Sequence, residues 1–188
     1  MSEESDEHLW RRFETGDRLA FEALVRRWEG FVLRLASRIL GDRTEAEEVR
    51  QTLFLKLFLN PRSVRHPDRL KGWLSRSTLN ESIGLARKNK RRNNATARLR
   101  DRGSPPAEGL AELQIDRDEE AARLAKALAQ LEPTDRALLA LRFDEGMTFA
   151  EVAEVLALPV STVKSREARL VARLRLLLED PANGLKLG

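Results

Sequence analysis

Ser161, Thr162, Lys164, Ser165, Arg166 and Arg169 crowd the start of one apolar-periodic segment near the C-terminus. Hydroxyls and cations in the first turns of a helix can reach base edges and phosphates together. Arginine can donate to both major-groove acceptors of guanine, whereas serine, threonine and a helix N-terminus suit phosphate. Val160, Val163 and Leu170 would hold such a helix to its domain. A second group, Arg87, Lys88, Lys90, Arg91 and Arg92, has no acidic residue within it. It suits either the dipole at a helix C-terminus or a polyanion. A third group begins with the carboxylates Glu45, Glu47 and Glu48. Leu53, Phe54, Leu57, Phe58 and Leu59 follow, more apolar residues than one buried face requires. Leu53 and Leu57 read as core. Phe54 and Phe58 are candidates to meet a protein partner, with at least one of them in the core.

No set of residues suits catalysis. There is no phosphate-cradling glycine loop and no nucleophile elbow. His8 and His66 lie far apart without ligand-spaced neighbours. No catalytic residue, metal ligand or cofactor is therefore assigned, and the chain is not read as an enzyme. Trp10, Trp28 and Trp73 could stack on unpaired bases, but their helical spacing favours core packing. The absence of cysteine excludes disulfides, thiolate zinc sites and a cysteine nucleophile, and fits a reducing cytoplasm. The acidic start Met1–Glu7 is no signal peptide. No apolar run approaches the roughly 20 residues that a membrane span needs. The expected location is cytoplasmic, without membrane insertion.

The elements that must position these groups read as helices throughout the 188 residues. Charged residues make up 34% and aromatics 5%, which suits small helical domains with charged outer faces rather than one large globule. The net charge is +4, unevenly placed, which favours an acidic partner. Asp6 is a candidate cap for a short helix carrying Leu9 and Phe13. Phe21, Leu24, Val25, Trp28, Val32, Leu35 and Ile39 then form one long stripe that Gly41 ends. Thr44 and Glu47 have capping-box spacing, ahead of a helix that buries Ala46, Val49, Leu53 and Leu57. Pro61 to Asp68 is a basic loop. Pro67-Asp68 opens a fourth helix on Leu70, Trp73, Leu74 and Ile83, which ends in the basic run.

From Ala95 the pattern weakens, and Gly103-Ser104-Pro105-Pro106 cannot continue a helix. Residues 95–117 read as a flexible linker between domains spanning 5–94 and 118–180. In the second domain Ala121, Leu124, Ala125, Leu128 and Leu131 form a stripe. Pro133-Thr134-Asp135 starts a helix with Ala137, Leu138 and Leu141. After a turn at Asp144-Glu145-Gly146, Thr148 caps a short helix with Val152, Ala153 and Leu156. Ala157-Leu158-Pro159 turns into a last helix from about Val160 to Leu178. The expectation is all-α, two small helical domains, the C-terminal one a helix-turn-helix.

With these residues in place, the chain resembles bacterial RNA polymerase sigma factors of the small extracytoplasmic-function (ECF) type. Gly16–Leu24 is similar to the family's first conserved helix. Glu45–Phe58 resembles the segment that docks on the clamp of core RNA polymerase. Trp73-Leu74-Ser75-Arg76, Asn80 and the basic run resemble the segment that reads the minus-ten element. Leu131–Phe143, Gly146–Ala153, Leu158-Pro159-Val160 and, above all, Thr162-Val163-Lys164-Ser165-Arg166 resemble the C-terminal domain that reads the minus-thirty-five element.

The resemblance implies a protein that binds core polymerase and promoter DNA and helps open the duplex. It implies polymerase contacts through Glu47, Glu48, Gln51 and Phe54. Minus-ten contacts would come from Arg76, Asn80, Arg87, Lys88 and Arg91, and upstream contacts from Ser161, Thr162, Lys164, Ser165, Arg166 and Arg169. The loop Arg62 to Arg69 would receive an unstacked base, and an anti-sigma factor is a further partner common in such families. Four positions depart from the pattern. Thr52 and Gly84 stand where acidic residues are usual, Ala157 replaces a turn glycine, and Glu167 takes a normally apolar place. Glu167 is expected to be exposed or paired with an arginine, because an unpaired buried carboxylate is costly. Two other readings remain: a free-standing helix-turn-helix regulator, and a sigma-like protein that binds polymerase or an anti-sigma factor without starting transcription.

Overall fold

The computed structural model describes residues 4–99 and 118–179, with side chains for 4–92 and 121–178. Contacts divide the chain into two compact units, Met1–Lys90 and Arg91–Gly188. The described residues hold helices and turns and no strand, as an all-α chain requires.

In the first unit α1 spans Asp6–Glu14, α2 Arg18–Leu40 and α3 Arg43–Leu59. Two single 3-10 turns, Pro61–Ser63 and Pro67–Arg69, lead into α4, Leu70–Leu99. The starts of α1 and α3 are fixed by side chains one or two residues earlier than the sequence places them, whereas α4 begins at Leu70, after the 3-10 turn at Pro67-Asp68 expected to open it. Ser5, not Asp6, caps α1, accepting from the His8 amide. Asp6 instead takes the Arg27 guanidinium at 2.6 Å and the Trp28 indole N–H at 3.1 Å. Asp42 caps α3, accepting from the Glu45 amide at 2.9 Å. The expected box between Thr44 and Glu47 does not form. Asp42 follows the left-handed Gly41 (φ 75°) directly, so the helix has begun before Thr44 is reached. Glu47 bonds Arg50 at 2.7 Å instead.

Leu9, Trp10 and Phe13 of α1 are buried with Leu24, Val32, Leu35 and Ile39 of α2 and Ala46, Val49, Leu53 and Leu57 of α3. Trp10 has no exposed surface, while Trp28 and Trp73 are half-buried and donate their indole N–H groups to Asp6 and to the Ser63 carbonyl. All three tryptophans thus serve packing and anchoring. On α4 the buried face carries Leu70, Leu74 and Leu79 with three hydroxyls, Ser75, Thr78 and Ser82. Ile83, expected on that face, is only half-buried. Ser75 satisfies its hydroxyl on the Lys71 carbonyl at 2.8 Å, a bond within its own helix that lets a small polar residue enter a core.

α4 also runs through the first residues of the expected linker, to Leu99. The remainder, 100–117 with its Gly-Ser-Pro-Pro stretch, lies outside the described residues, as does the tail from 180.

The second unit contains α5 (Asp118–Ala129), α6 (Pro133–Leu139), a π-helical turn (Ala140–Asp144), α7 (Phe149–Leu156) and α8 (Val160–Glu179). α5 and α7 both pack on α8. Leu138, Leu141, Val152 and Val163 are its fully buried centre. The stripe expected on α5 is corrected. Ala121 and Leu124 are exposed, and Ala127, outside that stripe, is buried. Thr148 caps α7 and forms a full capping box with Glu151. α7 ends at Ala157, whose φ of 53° and ψ of 45° are left-handed. α7, this turn and α8 are the helix-turn-helix.

Candidate nucleic-acid interface and docking face

On α8 the outward residues are Ser161, Lys164, Ser165 and Arg169, all exposed. Spacings of three and four keep them on one side of the helix. Thr162 is half-buried. Val163 and Leu170 face the core as expected, but Val160 does not hold the helix, being 41% exposed at its first turn. Arg166 is half-buried, and its Nε donates to Asp135 of α6 at 2.5 Å. It therefore differs from its exposed neighbours: a carboxylate already takes its charge.

On α4 the exposed residues Arg76, Asn80, Arg87 and Arg91 share the side opposite Ser75, Leu79 and Ser82. Lys88 is exposed beside them. The hydroxyl-lined buried face fixes this orientation, so the cations meet solvent as a stripe rather than a cluster. Below them, Trp73 pins the basic 3-10 turns through its bond to Ser63, with Val64 buried, while Arg62, Arg65, His66 and Arg69 are exposed.

α3 presents the third face. Glu48 and Gln51 are exposed, and Leu55 (59%), Phe58 (39%) and Leu59 (71%) extend the same side by one and two turns. Phe54 is a correction. It is 7% exposed and faces the core, one helical position away from the open side. Leu55, which the sequence reading passed over, takes its place. The signal was present: from Gln51 the solvent-facing residues at steps of four are Leu55 and Leu59. Phe58 keeps one side against Phe13 and Phe21, at ring-centroid distances of 5.9 and 5.3 Å. Glu47 is half-buried in an ion-pair chain, since its partner Arg50 also reaches Glu29 of α2 at 3.2 Å.

Residues 24–92 match the family description "Sigma-70 region 2", and residues 127–176 match "Sigma-70, region 4". The RNA polymerase sigma-H factor of Pseudomonas aeruginosa is 30% identical over 88% of this chain and 90% of its own. An ECF RNA polymerase sigma factor, SigM, of Mycobacterium tuberculosis is 32% identical over 94% of this chain and 86% of its own. The chain belongs to the ECF sigma factors. It is accordingly a factor that directs transcription initiation. Among solved structures, CnrH in complex with the cytosolic domain of CnrY matches with a TM-score of 0.66 and 28% identity, over 94% of this chain and 98% of that one.

The departures of this sigma factor from the family pattern now have positions. Thr52 and Gly84 line one open groove of about 220 Å³ between α3 and α4, with Glu48, Val49, Glu81, Leu85 and Lys88. A Cβ added at Gly84 would meet nothing within 4 Å, so space does not demand the glycine. The groove walls are tied by Lys56 to Glu81 at 2.6 Å and by Asn89 to Glu45 at 2.6 Å. Glu167 is paired, as its cost of burial requires: Arg142 Nε stands 3.2 Å from its carboxylate.

Proposed function

We propose that this sigma factor docks on core RNA polymerase through the outer side of α3 and contacts promoter DNA through α4 and α8. The docking residues are Glu48, Gln51, Leu55, Phe58 and Leu59. Arg76, Asn80, Arg87, Lys88 and Arg91 face the minus-ten element, and the exposed loop Arg62 to Arg69 receives an unstacked base. Ser161, Lys164, Ser165 and Arg169 face the minus-thirty-five element. The carrying observation is that the exposed polar and cationic residues of α4 and of α8 each form one stripe opposite a buried face. Such stripes can follow a phosphate backbone while their polar members read base edges. Residues 5–94 would act as the docking and minus-ten domain, 118–180 as the upstream domain, with 95–117 joining them.

The factor itself makes no bonds in this reading, since the polymerase is the enzyme, and it works in the cytoplasm where that polymerase is. An anti-sigma factor is a further proposed partner, supported by the bound second protein in the CnrH structure.

Purified protein mixed with bacterial core polymerase, followed by run-off transcription from a pool of promoter fragments, tests the proposal. Retention on core with new, specific transcripts supports it. Retention without transcripts points to a sigma-like binding protein. DNA binding without retention points to a free-standing regulator.

A further inference from the structure

We infer that Arg166 and Glu167 are positioning residues, two adjacent ion-pair fasteners that hold α8 in the one rotation able to bind and so set how strongly, not which sequence, it binds. This rests on the reading of α8 as the recognition helix and adds roles within it.

Glu167 lies on the inward side of α8. Val163 before it is fully buried and Leu170 after it is 6% exposed. Its own side chain is 14% exposed, and that of its partner Arg142 is 22% exposed. Arg142 comes from the π-helical turn and is engaged on three sides. Its Nε donates to Glu167, a terminal nitrogen donates to the Met147 carbonyl, and its guanidinium carbon lies 4.0 Å from the centroid of the Phe149 ring. Lys164 Nζ stands 5.5 Å from that same ring. A continuous set of contacts therefore runs from Glu167 through Arg142 and Phe149 to Lys164, one of the exposed residues of the reading face. Guanidinium groups suit this role, because they can stack on a ring and donate in their plane at once.

Arg166 is fastened separately. Its Nε is 2.5 Å from the Asp135 carboxylate, which is 14% exposed in the first turn of α6. To reach a base, Arg166 would have to leave Asp135 as a nearly buried, unpaired charge. The two pairs are opposite in sign: α8 offers a cation to α6 and an anion to the π-helical turn. They hold neighbouring residues to two different segments. A helix held by two such pairs cannot roll without breaking one of them, which keeps Ser161, Lys164, Ser165 and Arg169 outward.

The test uses the full chain bound to core polymerase and selects upstream sequences from randomised duplexes. Asp135→Asn and Arg166→Gln are each expected to weaken upstream binding about fivefold for every sequence alike, and together no more than either alone. Base preference stays unchanged at each position. Arg166→Lys, which keeps a charge for Asp135, recovers most of the affinity. Arg142→Glu with Glu167→Arg recovers part of the affinity that either change alone removes, the rest being lost with the contacts of Arg142 to Met147 and Phe149. Arg169→Ala, by contrast, relaxes preference at individual base pairs.

Circular-dichroism melting of each variant separates a lost fastener from a lost fold. A variant that unfolds is judged by its conservative or charge-swapped counterpart. Relaxed preference at one or two base pairs in Arg166→Gln, with Asp135→Asn binding as well as wild type, overturns the inference and makes Arg166 a reader. Failure of both Arg166→Lys and the charge swap to recover affinity overturns it as well. A wild-type complex that selects no upstream sequence overturns the reading of α8 itself, a distinct result.

Discussion

The outer side of α3 turns apolar towards its end, where that of α8 is charged, and the two helices are held down by different means. α3 is seated mainly by burial: Val49, Leu53, Phe54 and Leu57 enter the core, and ion pairs are added at the edge formed by Arg50 and Glu47 and, towards its end, by Lys56 with Glu81. Its exposed leucines are spare apolar surface on a helix that is already secure. α8 has fewer deep anchors, Val163 and Leu170, and is completed by the pairs Arg166–Asp135 and Arg142–Glu167. An apolar partner face needs a backing that excludes water, whereas a polar reading face needs its angle fixed. Burial is strong but non-directional, and ion pairs are weaker but directional. Each helix uses the kind of anchorage that its exposed side requires.

The contrast breaks most visibly in the core of the first unit. Leu53→Ala removes a side chain that is 1% exposed. It is expected to destabilise that unit by about 3 kcal/mol, read by amide exchange along α3, with the α8 amides unaffected. Equal loss of protection in both helices would show that the anchorage is shared.

A smaller effect is expected on binding. Replacing Leu55 and Leu59 by serine should weaken retention on core polymerase about tenfold while leaving unfolding within ~0.5 kcal/mol of wild type. Wild-type retention would remove the apolar part of the docking face. Next comes the cap of α7. Thr148→Ala breaks the capping box and should cost the second unit about 1 kcal/mol in a denaturant titration. An unchanged midpoint would show that packing alone holds α7.

The smallest effect is acid dependence in the first unit. The Arg12 guanidinium, donating to Asp17, holds that carboxyl below its ordinary value of 3.8, and the Ala20 and Leu19 amides assist. A depressed carboxyl stabilises the fold above 3.8, and that contribution is lost as pH falls through its lower value in the folded state. Asp17→Asn keeps a capping side chain but should flatten the acid-unfolding curve below pH 3.8. A curve identical to wild type would leave the Arg12 pair without influence on stability.

Apolar spacing made most of the helices legible in advance, together with Gly41, Thr148 and the outward position of Lys164, Ser165 and Arg169. It failed where a neighbour in space outweighed a neighbour in sequence. Arg166 looks like one more exposed cation until Asp135, 31 residues earlier, is brought beside it. Phe54 and Leu55 are both apolar, so residue type alone does not separate them, and only the step of four from the polar Gln51 marks Leu55 as the outward one. The buried hydroxyls of α4 interrupt the apolar stripe that marks its core side, so spacing points to Ile83, while Leu79, outside the expected set, is the residue that is buried. On α5 the stripe was regular, yet Ala121 and Leu124 remain exposed.

Ala157 joins the two helices of the DNA-binding motif in a conformation that suits glycine better. Its methyl group adds strain of about 1 kcal/mol to the folded turn. Glycine would relieve it, while giving back some of that gain through a looser unfolded chain. The codons for alanine and glycine differ by one nucleotide, so a more relaxed joint is a single mutational step away. Selection that favoured a tighter or a looser grip on DNA could act at this turn without altering any residue that faces the double helix.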